Sequence, residues 1–95
     1  MNKKYNIDEI IILQPVFSKQ KSFYGKAKTV KAGEATQLVS YDTEIAEIEN
    51  GKIKMLCGSD TLSMTVLKHL REFLRQLGFG DIAELTKKQI IKELY

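Results

Sequence analysis

The stretch that decides the fold is Tyr41-Asp-Thr-Glu-Ile-Ala-Glu-Ile-Glu-Asn-Gly-Lys-Ile-Lys-Met-Leu-Cys57, whose pattern predicts one β-hairpin. Asn50-Gly51 is a dipeptide favoured in type I′ turns, because both central residues of that turn need a positive φ. A two-residue loop at this point brings apolar residues opposite apolar ones and acids opposite lysines. The predicted pairs are Ile48 with Ile53, Ala46 with Met55, Glu49 with Lys52, Glu47 with Lys54, and Ile45 with Leu56.

Length and composition predict a single folded domain over residues 1–95. The chain is 43% apolar and 28% charged, which is typical of a globular domain and unlike a disordered segment. The longest apolar run, Ile10 to Leu13, is too short for a membrane helix. No basic n-region followed by an apolar h-region opens the chain, so we do not expect export. A single cysteine, Cys57, excludes an internal disulfide. We therefore expect a cytoplasmic protein without a membrane partner.

The net charge of +3 is unevenly distributed along the chain. Residues 1–31 contain seven lysines against two acids, whereas residues 32–58 contain two lysines against five acids. A basic segment of this kind indicates either an anionic partner or a solvated lysine-rich surface.

Before the hairpin, the alternation of apolar and polar residues predicts three strands. They are Glu9–Gln14, which ends at Pro15, then Phe23–Lys31, and Thr36–Thr43. Gly25, inside the second of these strands, is expected at a bulge or a close helix contact. The apolar positions change parity between Tyr41 and Ala46, which predicts a bulge or bend near residues 42–44.

After Gly58 the pattern changes to a helical period. Ser63 is a suitable N-cap, and Gly78 a suitable C′ residue, for a long amphipathic helix. Asp81–Glu84 and Thr86–Gln89 each match a capping box, predicting a helical turn and a closing helix over residues 87–94. The long helix has an apolar stripe of Val66, Leu67, Leu70, Phe73, Leu74 and Leu77, and an opposite polar face of Lys68, Arg71, Glu72 and Arg75.

The predicted fold class is therefore α+β. It consists of an antiparallel sheet of about four to five strands, followed by a long amphipathic helix and a short C-terminal helix, both packed on one sheet face.

Three segments in this order carry a resemblance to a known family. They are Ser22-Phe-Tyr-Gly-Lys-Ala27, Leu38-Val-Ser-Tyr-Asp-Thr-Glu-Ile-Ala46 and Ser63-Met-Thr-Val-Leu-Lys-His-Leu-Arg-Glu-Phe-Leu74. The chain resembles small uncharacterised proteins of phages and other mobile elements of low-GC Gram-positive bacteria. Ile45, Val66 and Lys68 depart from the residues usual in that family, and Lys68 lacks the bidentate donors of arginine. The resemblance implies a phage-like setting and no particular reaction.

Candidate catalytic groups are few. His69, the only histidine, lies at the edge of the apolar stripe with Glu72 one turn onward, and Cys57 ends a strand. A general base would need a nucleophile, for which Cys57, Ser59, Ser63 and Thr65 are the candidates. We expect a structural role for both His69 and Cys57, and an enzyme centred on this pair is the less favoured alternative. No metal site or cofactor is predicted, since one cysteine and one histidine do not complete a zinc site.

The candidate binding residues are Tyr24, Lys26 and Lys28, which share one face of the predicted second strand, together with Tyr41 and His69. The leading hypothesis is a non-enzymatic, phage-like accessory protein that binds a host or phage macromolecule, with a protein as the favoured partner. The alternative is a small DNA- or RNA-binding protein that uses the basic strand face for stacking and phosphate contacts. An exposed edge strand at Glu9–Gln14 or Phe23–Lys31 would also allow self-association.

Overall fold

The computed structural model describes residues 9–95. A five-stranded antiparallel sheet is followed by helices, which confirms the predicted α+β class. Its strands follow chain order across the sheet and are β1 (Glu9–Ile12), β2 (Ala27–Ala32), β3 (Ala35–Ser40), β4 (Thr43–Glu49) and β5 (Lys52–Met55). A 3-10 turn (Ser59–Thr61) leads into α1 (Met64–Gln76), α2 (Gly80–Ala83) and α3 (Lys87–Leu94).

The hairpin of β4 and β5 is confirmed with its register. Asn50 and Gly51 have φ values of 53° and 75°, as a type I′ turn requires. The pairs are Glu49–Lys52, Ile48–Ile53, Glu47–Lys54 and Ala46–Met55. Beyond β5, the Leu56 amide donates to the carbonyl of Ile45 at 2.8 Å.

The third predicted strand is too long, because β3 ends at Ser40. Tyr41 and Asp42 have φ values of 51° and 69° and form the tight turn between β3 and β4. A β-bulge also contributes to the change in parity of the apolar positions. Leu38 pairs with Ala46, but Val39 pairs with Glu44, so Ile45 is the extra residue of the bulge. Ile45 and Ala46 are consequently both fully buried.

The second predicted strand also begins too early. β2 starts at Ala27, because Tyr24 and Gly25 have φ values of 55° and 72° and form another tight turn. The Lys26 amide closes this turn on the carbonyl of Phe23 at 2.9 Å. The predicted bulge or helix contact at Gly25 is wrong: a Cβ there would meet nothing within 4 Å, and glycine serves the positive φ.

The helix ends follow their sequence signals with one exception. Ser63 accepts the Val66 amide at the start of α1, and Gly78 with Phe79 closes it in a Schellman motif. The Thr86–Gln89 capping box is present at α3. The box predicted at residues 81–84 is wrong, because Asp81 lies inside α2, whose N-cap is Phe79.

The core lies between the sheet and the helices. Leu38 and Ala46 face each other across β3 and β4 and are fully buried in one cluster with α1. The buried helical members of that cluster are Val66, Leu67, Leu70, Phe73 and Leu74 of α1, Ala83 of α2, and Ile90 of α3. Among residues 9–95, no helix is long and apolar enough to cross a membrane.

Candidate functional site

Two tight turns lie side by side at one end of the sheet. The turn at Tyr24-Gly25 precedes β2, the turn at Tyr41-Asp42 connects β3 to β4, and the Tyr41 amide donates to the carbonyl of Lys26 at 2.9 Å. Each turn holds a tyrosine with positive φ, and each tyrosine is exposed, by 77% at Tyr24 and 52% at Tyr41.

Two lysines lie beside these turns. Gly25, Lys26, Lys28, Tyr41 and Asp42 line a cavity of about 260 Å³. The Lys26 ammonium lies 5.9 Å from the centre of the Tyr41 ring, and Lys28 Nζ lies 3.8 Å from a carboxylate oxygen of Asp42. We call the five cavity residues together with Tyr24 the tyrosine–lysine site.

His69 supports this site from the core. It is buried, and its Nδ1 shares a 2.8 Å hydrogen bond with the hydroxyl of buried Ser40. Its ring packs edge-on against Phe23 at 4.6 Å and lies 5.9 Å from the Tyr41 ring. Burial lowers the pKa of His69, and the positive charge of Lys68 lowers that pKa further. A neutral His69 therefore anchors the residues that precede both tyrosine turns.

The structure brings the five predicted site residues together, but for a different reason from the one predicted. Tyr24 and Lys26 precede β2, so the expected shared strand face is wrong. Instead, Tyr24 is in the turn with Gly25, Lys26 and Lys28 line the same cavity as Tyr41, and His69 contacts Tyr41. Asp42 also lines the cavity but is not among the predicted site residues, although an aspartate between two strands is a turn signal.

Cys57 and His69 have different partners. The Cys57 thiol lies 3.6 Å from the hydroxyl of Tyr95, whereas His69 is bonded to Ser40. Burial raises the pKa of Tyr95, and the hydrogen bond with Cys57 raises it further. The described part of the chain contains no group of three His, Cys, Asp or Glu side chains placed to hold a metal ion.

Glu72 lies one turn along α1 from His69 but has other partners, and it is buried although the helical pattern places it on the polar face. It is 1% exposed and accepts hydrogen bonds from the amides of Val16, Phe17 and Ser18 at 2.9 to 3.2 Å. Gln76 donates to the same carboxylate at 2.6 Å and also to the carbonyl of Gln14. Burial acts to raise the pKa of Glu72, but the hydrogen bonds outweigh it and hold that pKa below its usual value.

Comparison with known proteins identifies a family. The model of a family of unknown function, DUF8033, matches residues 11–93, so the chain belongs to that family. Neither the search of curated proteins nor the search of solved structures found a match.

Proposed function

We propose that this member of a family of unknown function is a non-enzymatic binding protein of a phage or mobile element. Its partner is a host or phage protein, and the partner docks at the tyrosine–lysine site. The phage setting is supported by the sequence resemblance, and the docking surface by the geometry of the two turns.

The observation that carries the proposal is the pair of exposed tyrosines held at positive φ. A left-handed conformation costs an L-residue about 1–2 kcal/mol, and turns of this type favour Asn, Asp or Gly at such positions. Tyr24 occupies such a position while burying little of its own surface. An unfavourable backbone conformation combined with an exposed aromatic ring is typical of a residue retained for contact with a partner.

Protein is favoured over nucleic acid because of what surrounds Tyr41. Its ring contacts both His69 and the Lys26 ammonium, so it is a poor platform for stacking a base. The Asp42 carboxylate, which is 94% exposed, adds a negative charge that would repel phosphate. A protein surface with apolar and acidic groups fits such a mixed site better.

The experiment is affinity capture from a Gram-positive host lysate, followed by binding measurements with each purified candidate. The bait chains are the wild type, the double variant Tyr24→Asn with Lys26→Ser, and the control Lys87→Ser, which changes an exposed lysine of α3. We expect a partner whose affinity falls at least about tenfold in the double variant and is unchanged in the control. A partner that binds all three chains equally would contradict the proposed surface.

Nucleic-acid binding remains the second candidate, because Lys26, Lys28 and Tyr24 lie close together. It is tested by fluorescence anisotropy with mixed-sequence DNA and RNA, single- and double-stranded, at two salt concentrations. Binding that weakens steeply with salt and is lost in Lys26→Glu with Lys28→Glu would favour this candidate over the protein partner.

A further inference from the structure

The two edges of the sheet differ in how they are protected. β5, at one edge, has Lys52 and Lys54 among its four residues and contacts α3. β1, at the other edge, contains Ile10, Ile11 and Ile12, which are 58%, 45% and 46% exposed. Edge strands are usually protected by lysine, proline or a bulge, and β1 has none of these.

The free edge of β1 has a defined hydrogen-bonding pattern. The Leu13 amide donates to the carbonyl of Ala27 on β2, and Ile11 faces Thr29 in the same register. Because backbone groups alternate in direction along an antiparallel strand, Ile11 also points its N–H and C=O at β2. Ile10 and Ile12 therefore point theirs outward, where no other strand of residues 9–95 pairs with β1.

We propose that β1 pairs antiparallel with β1 of a second copy of this chain, around a two-fold axis at Ile11. In this register Ile10 lies opposite Ile12 of the second copy and exchanges both backbone hydrogen bonds with it. The two-fold axis repeats this pair, which gives four hydrogen bonds. Residues directly opposite each other point to the same face, so the helices of both copies lie on one face of a ten-stranded sheet.

The charge of β1 and the shape of the surface beside it are compatible with pairing to a second copy of the chain. Glu9 is the only charged residue of β1 and lies at its end, so no like charges face each other in this register. On the helix side, a groove of about 390 Å³ borders the strand, and Ile11, Phe73 and Leu77 are among the residues that line it. Because Ile11 of each copy lines its own groove, the groove only has to accept the Ile11 side chain of the other copy at the axis.

The area covered predicts a dissociable dimer. Four residues and three half-exposed isoleucines per copy bury less than the roughly 1,200 Å² at which standard-sized interfaces begin. We therefore expect a dimer that is populated at protein concentrations approaching about 1 mM and lost on dilution.

The first test is sedimentation velocity on the full chain over a concentration series. Ile10→Lys, which places a charge in the pairing edge, should weaken the dimer at least about tenfold. Met64→Lys is the matched control, because Met64 is an 85% exposed apolar residue outside β1. A chain that stays monomeric at about 1 mM, or a dimer that both variants weaken equally, would overturn the proposal.

The second test fixes the register by disulfide trapping in a Cys57→Ser background. Ile11→Cys should form a covalent dimer under mild oxidation, because the two Ile11 residues face each other in a non-hydrogen-bonded pair. Ile10→Cys should not, since the two Ile10 residues are offset by two positions. Trapping of Ile10→Cys alone, or of neither variant at a concentration where sedimentation shows a dimer, would exclude this register.

Discussion

Tyr24 has an exposed ring and a backbone φ of 55°. Its backbone conformation lowers the stability of the fold, whereas its ring is available to bind a partner, so one substitution can change the two properties in opposite directions. Asparagine tolerates the left-handed conformation better than tyrosine does. We expect Tyr24→Asn to raise the free energy of unfolding by about 0.5–1 kcal/mol, measured by urea denaturation, while it weakens partner binding.

The reciprocal variant is Asn50→Tyr, which places a tyrosine at the equivalent position of the Asn50-Gly51 turn. It should lower the free energy of unfolding by a similar amount without affecting the tyrosine–lysine site. If Tyr24→Asn destabilises the fold instead, the ring has a packing role and the backbone argument is wrong.

Glu72 fixes the position of residues 16–18, the segment that follows β1. Its carboxylate accepts three consecutive amides, those of residues 16–18, and a glutamine amide presents only one oxygen to them. We expect Glu72→Gln to lower the free energy of unfolding by about 2–3 kcal/mol, measured by urea denaturation. Glu93→Gln, on an exposed position of α3, is the control and should change it by less than about 0.5 kcal/mol.

At the scale of elements, the sequence correctly predicted the strands and helices whose ends are marked by local signals. The β4–β5 register follows from Asn50-Gly51, and α1 and α3 follow from Ser63, Gly78 and Thr86. These signals are local because a cap or turn is satisfied within a few residues. The predicted start of β2 and the predicted end of β3 were wrong, because a tyrosine occupies the turn next to each of them. The alternation of apolar and polar residues does not distinguish an exposed tyrosine in a turn from a tyrosine in a strand.

The contacts of α1 with distant segments were not predictable for a related reason. Glu72 and Arg71 lie where a helical wheel shows a polar face, and the wheel assigns that face to solvent. Their backbone partners are more than ten residues away in sequence: Glu72 accepts the amides of residues 16–18, and Arg71 donates to the carbonyls of residues 83 and 85. Only the tertiary fold brings these backbone groups to the helix.

Arg71 gives a prediction at this scale, because one side chain connects two elements. Its Nη1 donates to the carbonyl of Ala83 at the end of α2 and, at 2.7 Å, to that of Leu85 before α3. We expect Arg71→Ala to leave those carbonyls without their donor and to lower the free energy of unfolding by about 1.5–3 kcal/mol.

Hydrogen exchange measures where Arg71→Ala acts. Amide protection in α2 and α3 should fall more than in β3 and β4, which retain their ladder hydrogen bonds. Arg75→Ala, one turn along α1, is the matched control. An equal loss of protection throughout the sheet would show that Arg71 supports the whole fold and not this junction.

Over the whole molecule, α1 is the element that contacts the sheet, the segment after β1, the tyrosine turns and the connection to α3. Its apolar side packs on the sheet, Glu72 fixes the segment after β1, His69 bonds Ser40 below the tyrosine turns, and Arg71 fixes the connection to α3. Two of these polar contacts involve groups whose protonation changes in acid. The stability of the entire fold should therefore depend on pH through this one helix.

The direction of this pH dependence follows from the two shifted pKa values. His69 has a pKa below 6.5, so its neutral form stabilises the fold fully above that pH, and the contribution is lost as pH falls through the folded-state pKa. Glu72 has a pKa below 4.5, so the contribution of its carboxylate is present above pH 4.5 and is lost at still lower pH. We expect the urea midpoint to decline in two steps, one beginning as pH falls below 6.5 and the other as pH falls below 4.5. His69→Asn should flatten the upper step and Glu72→Gln the lower one, whereas an unchanged pH profile in Glu72→Gln would place the acid sensitivity elsewhere.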